Sequence, residues 1–176
     1  MAKIFHAYSD INIGKDLHNN KFYRTTAVGG YNKCRDRYSW GTKSVNTVYQ
    51  EDENNEGHKM TVTFYKGCVL PNCTGYAYGR FMECQGITSC RLCIGDAGSW
   101  YYYKDNYKRG SQPRRGAVLC WPGHVAVVED FTDAHNVTWS ESNYSKGRYF
   151  NIVTGDPTGK NGGLIGYIYP DTIFDG

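Results

Sequence analysis

The amino-acid sequence predicts an α+β fold in which an antiparallel sheet dominates. Three observations carry this. Sixteen Tyr and 21 Gly in 176 residues favour pleated strands and tight reversals, because aromatic residues pack well on a sheet and Gly supplies turns. After Pro113 five apolar or alternating runs follow one another, at 116–121, 124–131, 136–142, 148–153 and 164–169, split by turn residues such as Pro122-Gly123, Asp133 and Gly162-Gly163. Short connections of this kind favour antiparallel neighbours. Helical periodicity is confined to the part of the chain before them.

In chain order, residues 1–20 show no period and read as an N-terminal arm. Phe22-Tyr23-Arg24-Thr25-Thr26 and Ser44-Val45-Asn46-Thr47-Val48-Tyr49 have strand composition and read as edge hairpins. Glu51-Asp52-Glu53-Asn54-Asn55-Glu56-Gly57 is the strongest acidic run; it lacks the ligand spacing of a calcium loop and reads as a solvated hairpin tip. Met60-Thr61-Val62-Thr63-Phe64-Tyr65 alternates as a strand does. From Cys73, the residues Tyr76, Ala77, Arg80, Phe81 and Cys84 recur at three- and four-residue steps, which predicts about three turns of helix with one packing face. A second helix is predicted from Asp96, a good N-cap residue, through Trp100 and Tyr101 to Tyr103. No repeat or low-complexity linker divides the chain, so residues 21–170 read as one domain and 171–176 as a tail.

The formal charge of +3, with acidic and basic residues mixed along most of the chain, makes no demand for nucleic acid. The start of the chain lacks the pattern of a signal peptide, and no apolar stretch is long enough to span a bilayer. The expectation is a protein made in a cytoplasm without insertion into membrane.

Chemistry is concentrated around Cys73. A cysteine attacks as thiolate, and a free thiol's pKa of about 8.5 comes down beside a helix N-terminus or a cation. Cys73 stands where a turn becomes a helix, so free N–H groups of the first turn would face both the sulfur and a developing oxyanion. Of the five His, His6, His18, His58 and His135 fall in polar or turn segments, whereas His124 opens an apolar strand directly after Trp121-Pro122-Gly123. In the following strand Trp139, Glu141 and Asn143 share a face, and Glu141 or Asn143 can accept the Nδ1 hydrogen of His124. Trp100, Trp121 and Trp139 are candidates to floor a substrate groove, and Lys104, Lys108, Arg109, Arg114 and Arg115 to form a basic rim.

Asn72-Cys73-Thr74-Gly75-Tyr76-Ala77-Tyr78-Gly79-Arg80, Gly95-Asp96-Ala97-Gly98-Ser99-Trp100-Tyr101, Pro113-Arg114-Arg115-Gly116-Ala117-Val118, Gly123-His124-Val125-Ala126-Val127-Val128 and Ser140-Glu141-Ser142-Asn143-Tyr144 together resemble a CHAP domain, the cysteine, histidine-dependent amidohydrolase/peptidase. The resemblance spans about residues 21 to 170. It implies a papain-like fold, helices first and sheet after, and cleavage of an amide bond in the peptide part of peptidoglycan through a thioester. It maps Cys73 as nucleophile, His124 as base and then acid, Glu141 as the residue that orients His124, and Asn143 as a polar helper. It implies a phage lysin, either an endolysin or a tail-borne component that degrades the wall, acting at the bacterial wall, with other virion proteins as further partners. It leaves amidase and endopeptidase both open. The calcium loop of some members is not carried over, because residues 66–71 hold no acidic residue, and no cofactor or metal site is assigned.

Two rival readings use the other cysteines. Cys90-Arg91-Leu92-Cys93 with Cys120 and His124 supplies four ligands of the type zinc favours, which would make a metal-stabilised, non-catalytic wall-binding protein. Cys120 is a rival nucleophile, but it lies within a strand and reads as a buried thiol.

Overall fold

The computed structural model describes residues 4–6, 22, 45–51, 59–65, 73–143 and 148–174. Strands β1 (Val45–Glu51) and β2 (Lys59–Tyr65) pair antiparallel as a separate two-stranded sheet. Helix α1 (Cys73–Gln85) follows, then the single helical turn α2 (Ala97–Trp100). The main sheet has six strands, β3 (Arg109–Gly110), β4 (Val118–Trp121), β5 (His124–Asp133), β6 (Asn136–Asn143), β7 (Arg148–Gly155) and β8 (Gly166–Ile168), in the order β3-β8-β4-β5-β6-β7, all antiparallel. Helix packed on antiparallel sheet is the α+β, papain-like arrangement expected. The five alternating runs after Pro113 are strands β4 to β8. The tip between β1 and β2, the segment 23–26 and the turn at Pro71-Asn72 lie outside the described residues.

Alternation along β5 explains how the sheet holds two cores. Val125 and Val127 join Ala77, Phe81 and Trp100 in one buried cluster, on the helix side. Ala126 and Val128, one residue out of phase, join Trp121, Val137 and Trp139 in the other. Both faces are therefore filled with side chains.

Helix α1 departs from the one-faced pattern predicted for it. Eleven of its 13 residues are buried, Arg80 and Glu83 among them. The sheet covers one side, and at the C-terminal end Phe5 packs edge-on against Phe174 while the His6 N–H donates to the Cys84 carbonyl at 3.1 Å. Gly86, at φ +68, ends the helix in the left-handed region, which lets its N–H reach the Glu83 carbonyl and the Ile87 N–H reach that of Met82. The second helix is shorter than predicted. Asp96 occupies the N-cap position in extended conformation, its side chain makes no cap bond, and Tyr101 to Tyr103 already turn away.

A buried ion cluster ties α1 to the sheet. Arg80, fully enclosed, donates Nε and a terminal N–H to the two carboxylate oxygens of Glu129 on β5, at 2.9 and 2.6 Å, and its other arm bonds Glu83 at 2.5 Å. The Ser140 hydroxyl of β6 donates to the same Glu129 at 2.6 Å. Glu129 shares the helix-facing side of β5 with Val125 and Val127, so one guanidinium holds α1 in register against the two strands that carry His124 and Glu141. A bidentate guanidinium–carboxylate pair is directional as well as strong, and a buried one tolerates little sliding.

Candidate active site

Cys73 is the first residue of α1 and is half-buried, whereas Thr74 to Ala77 behind it are enclosed. His124 is the first residue of β5. The two-residue turn Pro122-Gly123 delivers it directly after β4, whose Trp121 is its partner across the ladder. Gly98 of α2 holds that turn from outside: a Cβ there would stand 2.8 Å from the Pro122 carbonyl oxygen. A side chain at 98 would push the turn, and His124 with it.

Three neighbours act on the imidazole. Its face stacks on the Trp121 indole at 5.4 Å between ring centroids and 29° between planes. Its Nε2 lies 3.2 Å from Glu141 Oε1. The Cys73 side chain is near enough to favour the protonated ring. This corrects one expectation from the sequence: the ring nitrogen facing the Glu141 carboxylate is Nε2, not Nδ1. Burial pushes the imidazole's pKa down, but the Cys73 and Glu141 side chains outweigh it and raise the value from 6.5 to about 9. The ring is therefore a cation at neutral pH, held between two groups that favour the proton.

Glu141 is buried, and each of its oxygens is occupied. Oε1 accepts from the Trp139 indole N–H at 2.7 Å as well as facing His124; Oε2 accepts from the Asn151 amide at 3.4 Å. Burial works to raise its pKa, yet the bonds to His124 and the other donors lower it on balance, so it stays ionised. Asn151 was not singled out from the sequence. It stands directly across the β6–β7 ladder from Glu141, and only that register reveals it.

The three tryptophans are placed differently from the sequence expectation. Trp100 and Trp121 are 0% exposed and Trp139 is 1% exposed, so none of them floors a substrate groove. Trp100 donates to the Gly95 carbonyl, Trp121 to that of Pro157, and Trp139 to Glu141; two of the three buttress the His–Glu pair. Asn143 ends β6, and its side chain lies outside the described residues. Of the basic rim, Arg109 is bound into its own loop by Asp105 and by the carbonyls of Trp100, Tyr101, Tyr103 and Tyr107.

The rival thiol and the metal reading fare as follows. Cys120 is fully enclosed, and burial pushes its thiol up to about 12, which suits a core residue. Among the described residues no three His, Cys, Asp or Glu side chains are grouped as a metal-binding set. Cys90, Cys93 and Cys120 are free thiols in the helix-side core, while His124 is engaged with Glu141. No helix among the described residues is long and apolar enough to cross a membrane.

The chain is similar to a solved structure described as the 2.15 Å crystal structure of N-acetylmuramoyl-L-alanine amidase from Staphylococcus aureus. Identity is 30%, the TM-score is 0.40, and the match covers 49% of this chain and 27% of that one. The segment that contains Cys73, His124, Glu141 and Asn143 also has a family match: residues 63–143 match the CHAP domain, which bears out over that stretch the resemblance read from the sequence.

Proposed function

We propose that the chain is a cysteine peptidoglycan hydrolase that cleaves an amide bond in the peptide part of the bacterial wall. The observation that carries this reading is the line Cys73, His124, Glu141: a thiol at a helix start, an imidazole of raised pKa beside it, and a buried carboxylate 3.2 Å from the ring's Nε2. The line lies inside the segment matching the CHAP domain.

The proposed chemistry follows from where the protons sit. With the proton on His124, the Cys73 sulfur attacks the scissile carbonyl carbon as thiolate, forming a C–S bond and an oxyanion that the first-turn N–H groups of α1 can receive. Collapse breaks the C–N bond, and His124 gives its proton to the departing amine. Water then attacks the thioester while His124 takes the water's proton, releasing a carboxylate and restoring Cys73. Glu141 keeps the ring oriented and compensates its charge through both transfers. The role we assign is that of a phage lysin, an endolysin or a tail-borne component, acting at the wall.

The test is digestion of purified bacterial walls followed by mass spectrometry of the new termini. New amino and carboxyl groups in the peptide part are expected with the wild type. The Cys73→Ala variant should release none while keeping the wild-type circular dichroism and melting curve. Fragment release by that variant would overturn the assignment.

A further inference from the structure

A second concave site lies at the other end of the molecule from Cys73. It is a cavity of about 330 Å³ lined by Arg114, Arg115, Phe131, Pro170, Ile173 and Phe174, with Thr172 on its wall. Phe131 is seven residues along β5 from His124, and at about 3.3 Å per residue that is roughly 20 Å of strand. A Cβ at Gly116 would meet both the Phe174 side chain and the Cys84 sulfur, which places Phe174 near the C-terminal end of α1, whereas Cys73 is at the N-terminal end. Neither measure allows one small substrate to reach both sites.

Two features distinguish this cavity from an ordinary surface hollow. The first is apolar exposure. Of the six large hydrophobic side chains exposed among the described residues, Phe131 at 37% and Ile173 at 74% line it, and Ile4 at 76% adjoins Phe5, which packs on Phe174. The second is charge. The Arg114 guanidinium carbon stands over the Tyr169 ring, 4.2 Å from its centroid, and that of Arg115 over Phe5 at 4.4 Å, so both guanidinium groups are held in place before any ligand arrives. Arg115 uses its Nε on the Glu129 carbonyl, and neither Arg has a carboxylate partner among the described residues. Three neighbouring acids among the described residues are already engaged. Glu129 is bound by Arg80 and Asp171 by Arg91, and Asp130 accepts its neighbour's backbone N–H. A preset pair of cations with no carboxylate partner among the described residues, beside exposed aromatic and aliphatic side chains, fits a ligand carrying a carboxylate next to an apolar side chain.

We infer that this cavity is a docking site for an acidic, apolar peptide segment of a partner protein, which would hold the enzyme while leaving Cys73 open. The volume, near the lower end for ligand pockets, takes one large side chain with a carboxylate beside it. A linear phosphate polymer would use the two Arg but leave Phe131, Ile173 and Phe174 uncovered.

The probe is the peptide acetyl-Glu-Phe-Asp-Ile-Glu-amide, titrated into ¹⁵N-labelled full-length protein and followed by NMR. Saturable shifts are expected at Arg114, Arg115, Phe131 and Ile173, with wall digestion unchanged. The Arg114→Glu variant, at an exposed position, should weaken binding about tenfold or more, since an attractive charge contact becomes a repulsive one. The Ile173→Ser variant should weaken it too. Any of four results would overturn the inference: no shift at these residues, equal binding of acetyl-Lys-Phe-Lys-Ile-Lys-amide, equal or tighter binding of polyphosphate, or self-association of the protein that Arg114→Glu abolishes in sedimentation.

Discussion

Glu129 and Glu141 sit on neighbouring strands, are almost equally enclosed at 6% and 5% exposure, and do different work. Glu129 faces the helix and meets a guanidinium, which keeps its proton at any pH the protein will meet. Glu141 faces the opposite side and meets an imidazole, which can give its proton up. The first pair is a permanent fastening, and the second is an acid–base device whose partner changes charge during a reaction. What separates them is the cation, and the cation is set by which face of the sheet each carboxylate occupies. Burial alone therefore does not mark a functional carboxylate in this fold; the ability of its partner to titrate does.

The sharpest test of that contrast is to neutralise each carboxylate in turn. Glu141→Gln should lower wall-digesting activity by about 10⁴-fold, a loss of the order seen when the residue orienting a catalytic His is neutralised, and should lower the melting temperature by less than Glu129→Gln does, because its partner imidazole can give up its charge. Glu129→Gln should do the reverse. Removing one partner of a buried pair costs up to about 3–5 kcal/mol, here with Arg80 keeping its bond to Glu83, a loss visible in denaturant titration, with activity per folded molecule close to wild type. If Glu129→Gln were the more damaging to activity at full folding, the division of labour would be wrong.

A second test is titration. The pKa of His124 is raised in the folded protein, so its stabilising contribution is complete below 6.5, its ordinary value, and declines as pH climbs through about 9. Glu141 is shifted down, so its contribution is present above its ordinary value of 4.5 and fades as pH falls through the lower folded value. The His–Glu pair should thus stabilise most between about pH 5 and 6.5, whereas the Arg80 fastening should show no loss on the alkaline side. NMR of the ring protons should give a His124 midpoint near 9, moving down in Cys73→Ala and in Glu141→Gln, because each removes a group that favours the protonated ring. A midpoint indifferent to both substitutions would break the comparison.

The smallest effect is expected at Trp139. Replacing it by Phe removes the 2.7 Å bond to Glu141 Oε1 and keeps most of the buried ring. A net hydrogen bond to a charged group contributes about 1.5–3 kcal/mol, so a modest fall in melting temperature is expected. The kcat should fall several-fold with KM unchanged, since the indole touches no substrate-facing surface.

Much of this architecture was legible from the residues, and the exceptions have physical reasons. The strands after Pro113 announce themselves because period-two patterning is local, and Cys73 is recognisable because a helix start is local too. Arg80 counts as an amphipathic residue at a helical step, and nothing near it in sequence names Glu129, 49 residues on, as its partner. Asn151 and the pairing of β8 with β4 depend on register across the sheet, which spacing does not contain. The choice of Nε2 over Nδ1 depends on the rotation of one ring. The tryptophans are ambiguous in sequence because a large aromatic residue near a site suits a groove floor and a core buttress alike, and only enclosure separates the two.

The stacking of His124 on Trp121 has an optical consequence. A protonated imidazole quenches a neighbouring indole more than a neutral one does, so the acid–base state of the site is written into the protein's own ultraviolet emission. Proton movement there can be followed in stopped flow without a label, with Trp121→Phe as the blank.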